Sequence, residues 1–167
     1  MRVLSDMMPS AQRPRVLLTA VRDSRVPVAD IPELIAFAWL RDDSPTSDIS
    51  ESDWWAEIFN TAGFCSYPPG RNQPTGAIKV FRGTTIDRLR RMSWAEDRNV
   101  ALQLGRRHAW YGPAALYSAT IGPGGVLAYL GRQAEGWTVV VDTARIEDLQ
   151  LLVRLPDPRP TAQLACN

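Results

Sequence analysis

The apolar pattern changes its period part-way along the chain, and this limits the folds open to it. Up to Ala62 apolar side chains recur at three- and four-residue spacing. After a proline- and glycine-rich turn marked by Pro68, Pro69, Gly70, Pro74 and Gly76, they gather into short runs instead, with one helical stripe among them. Helices first and a mostly antiparallel sheet afterwards make an α+β domain. With 167 residues the chain has the length of one domain.

The expected elements come from local signals. Residues 1–29, with scattered Pro and Arg, read as a loosely packed arm able to contribute one strand at Val16-Leu17-Leu18. Asp30 caps a helix with Pro32 in its first turn and Leu34, Ile35, Ala38 and Trp39 on one face. Ser50 or Ser52 opens a second helix carrying Trp54, Trp55, Ile58, Phe59 and Ala62, stopped by Gly63. Strands are expected at Ala77–Phe81, Met92–Trp94, Leu116–Ile121, Val126–Leu130, Trp137–Val141 and Leu151–Leu155. A helix has Glu96 and Asp97 at its start, carries Val100, Ala101 and Leu104 as an apolar stripe, and closes on Arg106, Arg107 and His108, where positive charge suits the helix end. Arg145–Leu149 reads as a single helical turn. The domain then spans 30–155, with a proline-rich tail over 156–167.

Composition removes several classes of function. No apolar run approaches the roughly 18 to 20 residues of a membrane helix, and the first residues lack the apolar segment of a secretory signal, which predicts a cytoplasmic protein. Cys65 and Cys166 make neither a metal cluster nor a disulfide framework, so no metal is expected. A formal net charge of +1 argues against nucleic-acid binding through bulk charge, although a local basic patch stays open. Only Lys79 among the 19 basic residues is a lysine, a bias that genome base composition explains. Phosphate-cradling and dinucleotide-binding glycine motifs are missing, and the single histidine, His108, reads as a residue that caps a helix end.

Three residues remain, in a fixed order: an arginine ending a strand in Phe81-Arg82-Gly83, a serine on a short strand before a helix in Ser93-Trp94-Ala95, and a glutamate before a late strand in Gln133-Ala134-Glu135. Over roughly residues 54–155 this order resembles the arginine-serine-glutamate class of mono-ADP-ribosyltransferases and their small phage and bacterial relatives. The resemblance implies an ADP-ribosyltransferase-like fold, with N-terminal helices packed on a mostly antiparallel split sheet. It further implies NAD as the ADP-ribose donor and transfer to a macromolecular acceptor, protein or nucleic acid, in the cytoplasm, or in a host's cytoplasm for a phage protein.

The chemistry suits the residue types. Cleaving the bond between nicotinamide and ribose builds positive charge on the sugar, which a carboxylate stabilises; Glu135 is the candidate. Arg82 suits the cofactor's diphosphate, and Gly83 beside it permits close backbone approach. The Ser93 hydroxyl can orient the acid and touch the cofactor, and Trp94 offers a flat surface for a flat ring. In the family the residue two before the glutamate bears on the acceptor; here it is Gln133, the form found in relatives that modify amide side chains or guanine bases. Ala95 replaces the family's second hydroxyl, and only ten residues separate Arg82 from Ser93. A register in which the apolar strand follows the acid position directly would put Thr138 there. Two rivals therefore stay open: an NAD glycohydrolase, and a catalytically degenerate transferase fold acting as a protein-binding module.

Overall fold

The computed structural model describes residues 13–40, 49–132 and 136–159. Four helices, α1 (Arg13–Arg22), α2 (Ile31–Leu40), α3 (Ile49–Ala62) and α4 (Arg98–His108), accompany seven strands. These are β1 (Cys65–Tyr67), β2 (Ile78–Thr85), β3 (Ser93–Ala95), β4 (Ala114–Ile121), β5 (Val126–Arg132), β6 (Gly136–Val141) and β7 (Ile146–Arg154). The strands form one sheet in the order β1-β5-β6-β3-β2-β4-β7, and every neighbouring pair except β1 with β5 is antiparallel.

The α+β expectation holds, with local corrections; α3, for one, begins at Ile49, ahead of Ser50 and Ser52. Val16-Leu17-Leu18 is helical rather than extended: Leu18 and Val21 lie three apart on the buried side of α1, and the helix buries both. Arg145–Leu149 is not a helical turn. A short 3-10 turn covers Thr143–Arg145, capped by the Asp142 carboxylate, which accepts from the Ala144 N–H at 3.0 Å; β7 then begins at Ile146. Other strands extend past their expected ends, β2 by four residues beyond Phe81.

Helices α1–α3 cover one face of the sheet at the β1-β5-β6 end. Trp39 meets Trp55 edge-to-face at 4.9 Å and Phe59 at 5.6 Å, and around them Leu18, Ile35, Cys65, Leu130 and Val140 complete the core. Aromatic pairs in this geometry bury large apolar areas, and the same spacing makes α2 and α3 readable. On the opposite face Val80, Trp94, Ile121, Tyr129 and Val139 form a second cluster. Helix α4 lies over β2, β3 and β4 through Ala95, Ala101 and Leu116.

A seam runs through the sheet. β2 pairs with β4 over eight positions but with β3 through a single pair, Phe81 with Ala95. Beyond that pair the two strands separate, and the sheet is nearly parted between its β1-β5-β6-β3 and β2-β4-β7 halves.

Candidate functional site

Arg82 sits where β2 and β3 part, next to the last paired residue. Its guanidinium fills the gap left by the ladder: Nη1 donates to the Ser93 carbonyl, and Nε donates to the Arg88 carbonyl at 3.1 Å. Arg82 and Ser93, eleven positions apart, are therefore in contact, through the serine's backbone oxygen and not its hydroxyl. The Ser93 side chain is half-buried and shares its face of the pleat with Ala95.

The charge around Arg82 is one-sided. Burial, then repulsion from Arg91 and Arg88, pushes its pKa down to about 9, which leaves it cationic at neutral pH. Among the described residues no carboxylate pairs with it; Asp87, the nearest in sequence, is exposed and stands 3.8 Å from Arg88. Thr84 lies two residues along β2, on the same face of the pleat. Its hydroxyl is fully buried, with no hydrogen-bond partner among the described residues. The Arg82 guanidinium, with Arg88 beside it, is of the kind that suits an anion with several oxygens.

Gly83 has a different neighbour from the one expected. A Cβ there would lie 1.9 Å from the Ala101 carbonyl oxygen and 2.6 Å from the Gly105 nitrogen, so the missing side chain makes room for α4. Its carbonyl is engaged as well, by Nδ1 of His108 at 3.0 Å. His108 closes α4 as its sequence position suggests, and it also ties the helix end to β2. Burial lowers its pKa first; the Gly83 carbonyl opposes this, while Arg82, Arg88 and Arg91 add to it. At pH 7 the ring is neutral, with its proton on the nitrogen that meets the carbonyl.

Trp94 corrects the expectation of a ring offered to a cofactor. It is 3% exposed, within the second core cluster, and its Nε1 donates to the Arg91 carbonyl at 3.0 Å. Its work is to hold Arg91 in place beside Arg82. Trp94 takes the core side because β3 alternates faces, with Ser93 and Ala95 on the other.

Glu96, expected at the start of a helix, lies outside it; Asp97 is the N-cap, and its carboxylate accepts from the Asn99 N–H at 2.6 Å. Glu96 instead pairs with Arg71 and accepts from the Tyr129 hydroxyl at 2.8 Å. The Arg71 guanidinium lies 4.3 Å from the Tyr129 ring centre, which pins the long loop after β1 against β5. Sequence reasoning misses Arg88, Arg91 and the Arg71–Glu96–Tyr129 group; the run Arg88-Leu89-Arg90-Arg91 is the signal for the first two.

Gln133 and Glu135 lie outside the described residues. The strand that opens right after them, β6, pairs with β3: Ser93 faces Val140, and Ala95 faces Thr138. Gly136 is thus four residues from the position opposite Ser93, roughly 13 Å of extended strand. In the sheet β6, β3 and β2 stand side by side.

Among the described residues no helix is long and apolar enough to cross a membrane, and no three His, Cys, Asp or Glu side chains gather as metal ligands would. No protein-family model, curated protein or solved structure matches the chain.

Proposed function

We propose that the protein is a mono-ADP-ribosyltransferase with an ADP-ribosyltransferase-like fold, which takes NAD as donor and a macromolecule as acceptor. The observation that carries this reading is the contact between Arg82 and Ser93 at a seam rich in positive charge. It joins two of the three residues whose order suggests the activity, and the strand that follows the third lies next in the sheet. Charge at this seam supports the reading: the Arg82 and Arg88 guanidinium groups suit a diphosphate.

Each residue then has a task. Arg82, held by two carbonyls, presents its remaining N–H groups to a phosphate without reorganising. The Ser93 hydroxyl bonds to the ribose or to the acid. The Glu135 carboxylate stabilises positive charge on the ribose as the bond to nicotinamide breaks and the acceptor's lone pair forms the new bond to the same carbon. The acceptor's proton passes to solvent, and nicotinamide leaves as a neutral base. Gln133 positions the acceptor.

A second reading has its own support. Ala95, buried and without the hydroxyl that the family carries there, favours a fold that binds a partner without turnover.

Nicotinamide release and labelled ADP-ribose transfer, followed side by side, separate the readings. The transferase reading expects Glu135→Gln to lower both activities by on the order of 100-fold, and Gln133→Ala to lower transfer while sparing much of the hydrolysis. Wild-type protein that releases no nicotinamide with any acceptor supports the binding module. Release that Glu135→Gln leaves unchanged removes Glu135 from the mechanism.

A further inference from the structure

Just past α4 the chain exposes two consecutive aromatic residues. Trp110 is 60% and Tyr111 79% open to solvent, in a protein that buries Trp39, Trp55 and Trp94 almost completely. They are held by the helix end, since the Tyr111 N–H donates to the His108 carbonyl at 2.9 Å. The Arg88 guanidinium lies 5.9 Å from the Tyr111 ring centre, and the Arg88 carbonyl is the group that accepts from Arg82. A chain of contacts thus runs from the seam to the aromatic pair.

Charge around the pair is predominantly positive, with Asp87, 3.8 Å from Arg88, as the carboxylate beside it. Residues 82–111 include seven arginines and three carboxylates, Asp87, Glu96 and Asp97. Glu96 is taken by Arg71 and Tyr129, and Asp97 caps α4. From Arg98 to Arg132 the chain has no carboxylate at all, while Arg106 and Arg107 in the last turn of α4 are exposed. The net charge of +1 for the whole chain hides this local excess.

We propose that Trp110 and Tyr111, with Arg88, Arg106 and Arg107, form a docking surface for a single-stranded polynucleotide. Unpaired bases stack on the two exposed rings, and the phosphates between them meet the guanidinium groups. A duplex keeps its base faces stacked internally and has none to offer such rings. The surface adjoins the seam, so a bound strand is delivered to the candidate site as its acceptor. That last role rests on the transferase reading; the binding itself does not.

The test is fluorescence anisotropy of labelled oligonucleotides of about 12 nucleotides, within the span such surfaces cover, titrated with the full chain in the absence of NAD. Single-stranded RNA, single-stranded DNA and a duplex form the three arms. Binding of either single strand, weakened as salt rises from about 50 to 200 mM and weakened roughly tenfold or more by Trp110→Ala or Tyr111→Ala, is the expected result. Both rings are exposed, so these variants should melt as the wild type does. No binding of any single strand, equal affinity in the variants, or equal affinity for the duplex overturns the proposal. In a separate calorimetric titration with NAD, a matching loss of affinity in the variants also overturns it, since that would assign the rings to the dinucleotide. Because the anisotropy assay holds no NAD, its failure is distinct from a failure to release nicotinamide.

Discussion

Gly83 on β2 and Gly105 on α4 meet backbone to backbone: a Cβ on the first would lie 2.6 Å from the nitrogen of the second, and a Cβ on the second 3.0 Å from the Cα of the first. The strand that carries Arg82 is therefore set at the closest approach two main chains allow.

Gly83→Ala should push α4 off the sheet, because the atom in the way is a backbone carbonyl with no rotamer to escape into. Overpacking of this kind costs about 3 kcal/mol, or a fall in Tm of roughly 6 to 12 °C in a chain of this size. Gly76→Ala is the control: it is exposed, with nothing within 4 Å of its Cβ position, and should leave Tm unchanged. Thermal unfolding followed by circular dichroism compares the two.

His108 gives the fold a pH dependence of known sign. Its folded pKa lies below the ordinary 6.5 because burial favours the neutral ring, so between the two values the unfolded chain binds more protons. Its stabilising contribution is present above about pH 6.5 and is lost as pH falls through the folded value. Melting at pH 7.5 and 5.5 should show an acid loss in the wild type that is smaller in His108→Gln, whose amide can still donate to the Gly83 carbonyl. Equal losses would mean that the ring titrates freely.

How much of the fold is legible in the sequence depends on how local each signal is. Helices α2 and α3 are legible because Pro32, Gly63 and the Trp39, Trp55 and Phe59 spacing all act within a few residues. The Val16–Leu18 run misleads because three consecutive apolar residues fit either period, and only the packing of Leu18 and Val21 decides. β1 has no such signal: its three residues pair with β5, more than sixty positions away, and nothing near Cys65 announces it. At the site, the order of Arg82 and Ser93 is legible in the sequence. That their contact uses a carbonyl, and that Trp94 turns to the core, depends on the parting of β2 from β3, which no local pattern encodes.

Cys65 should be inert. It is buried, and desolvation pushes its thiol up to about 11, so little thiolate forms at pH 8. Iodoacetamide labelling mapped by mass spectrometry should leave Cys65 unmodified in the native protein and modify it once the chain is unfolded. Labelling of Cys65 at the same rate in both states would contradict its place in the core.

If the charge at the β2–β3 seam holds the diphosphate of NAD, calorimetric titration of NAD into wild type and Arg82→Ala should reveal it. Arg82→Ala removes the donor to the Ser93 and Arg88 carbonyls, so its fold is checked first by circular dichroism. The expected result is saturable binding by the wild type and affinity weaker by roughly tenfold or more in the variant, as loss of a charged hydrogen bond of about 1.5 to 3 kcal/mol implies. Equal affinity in a folded variant, or no heat of binding from the wild type at millimolar NAD, an undemanding level for a cofactor, would contradict it.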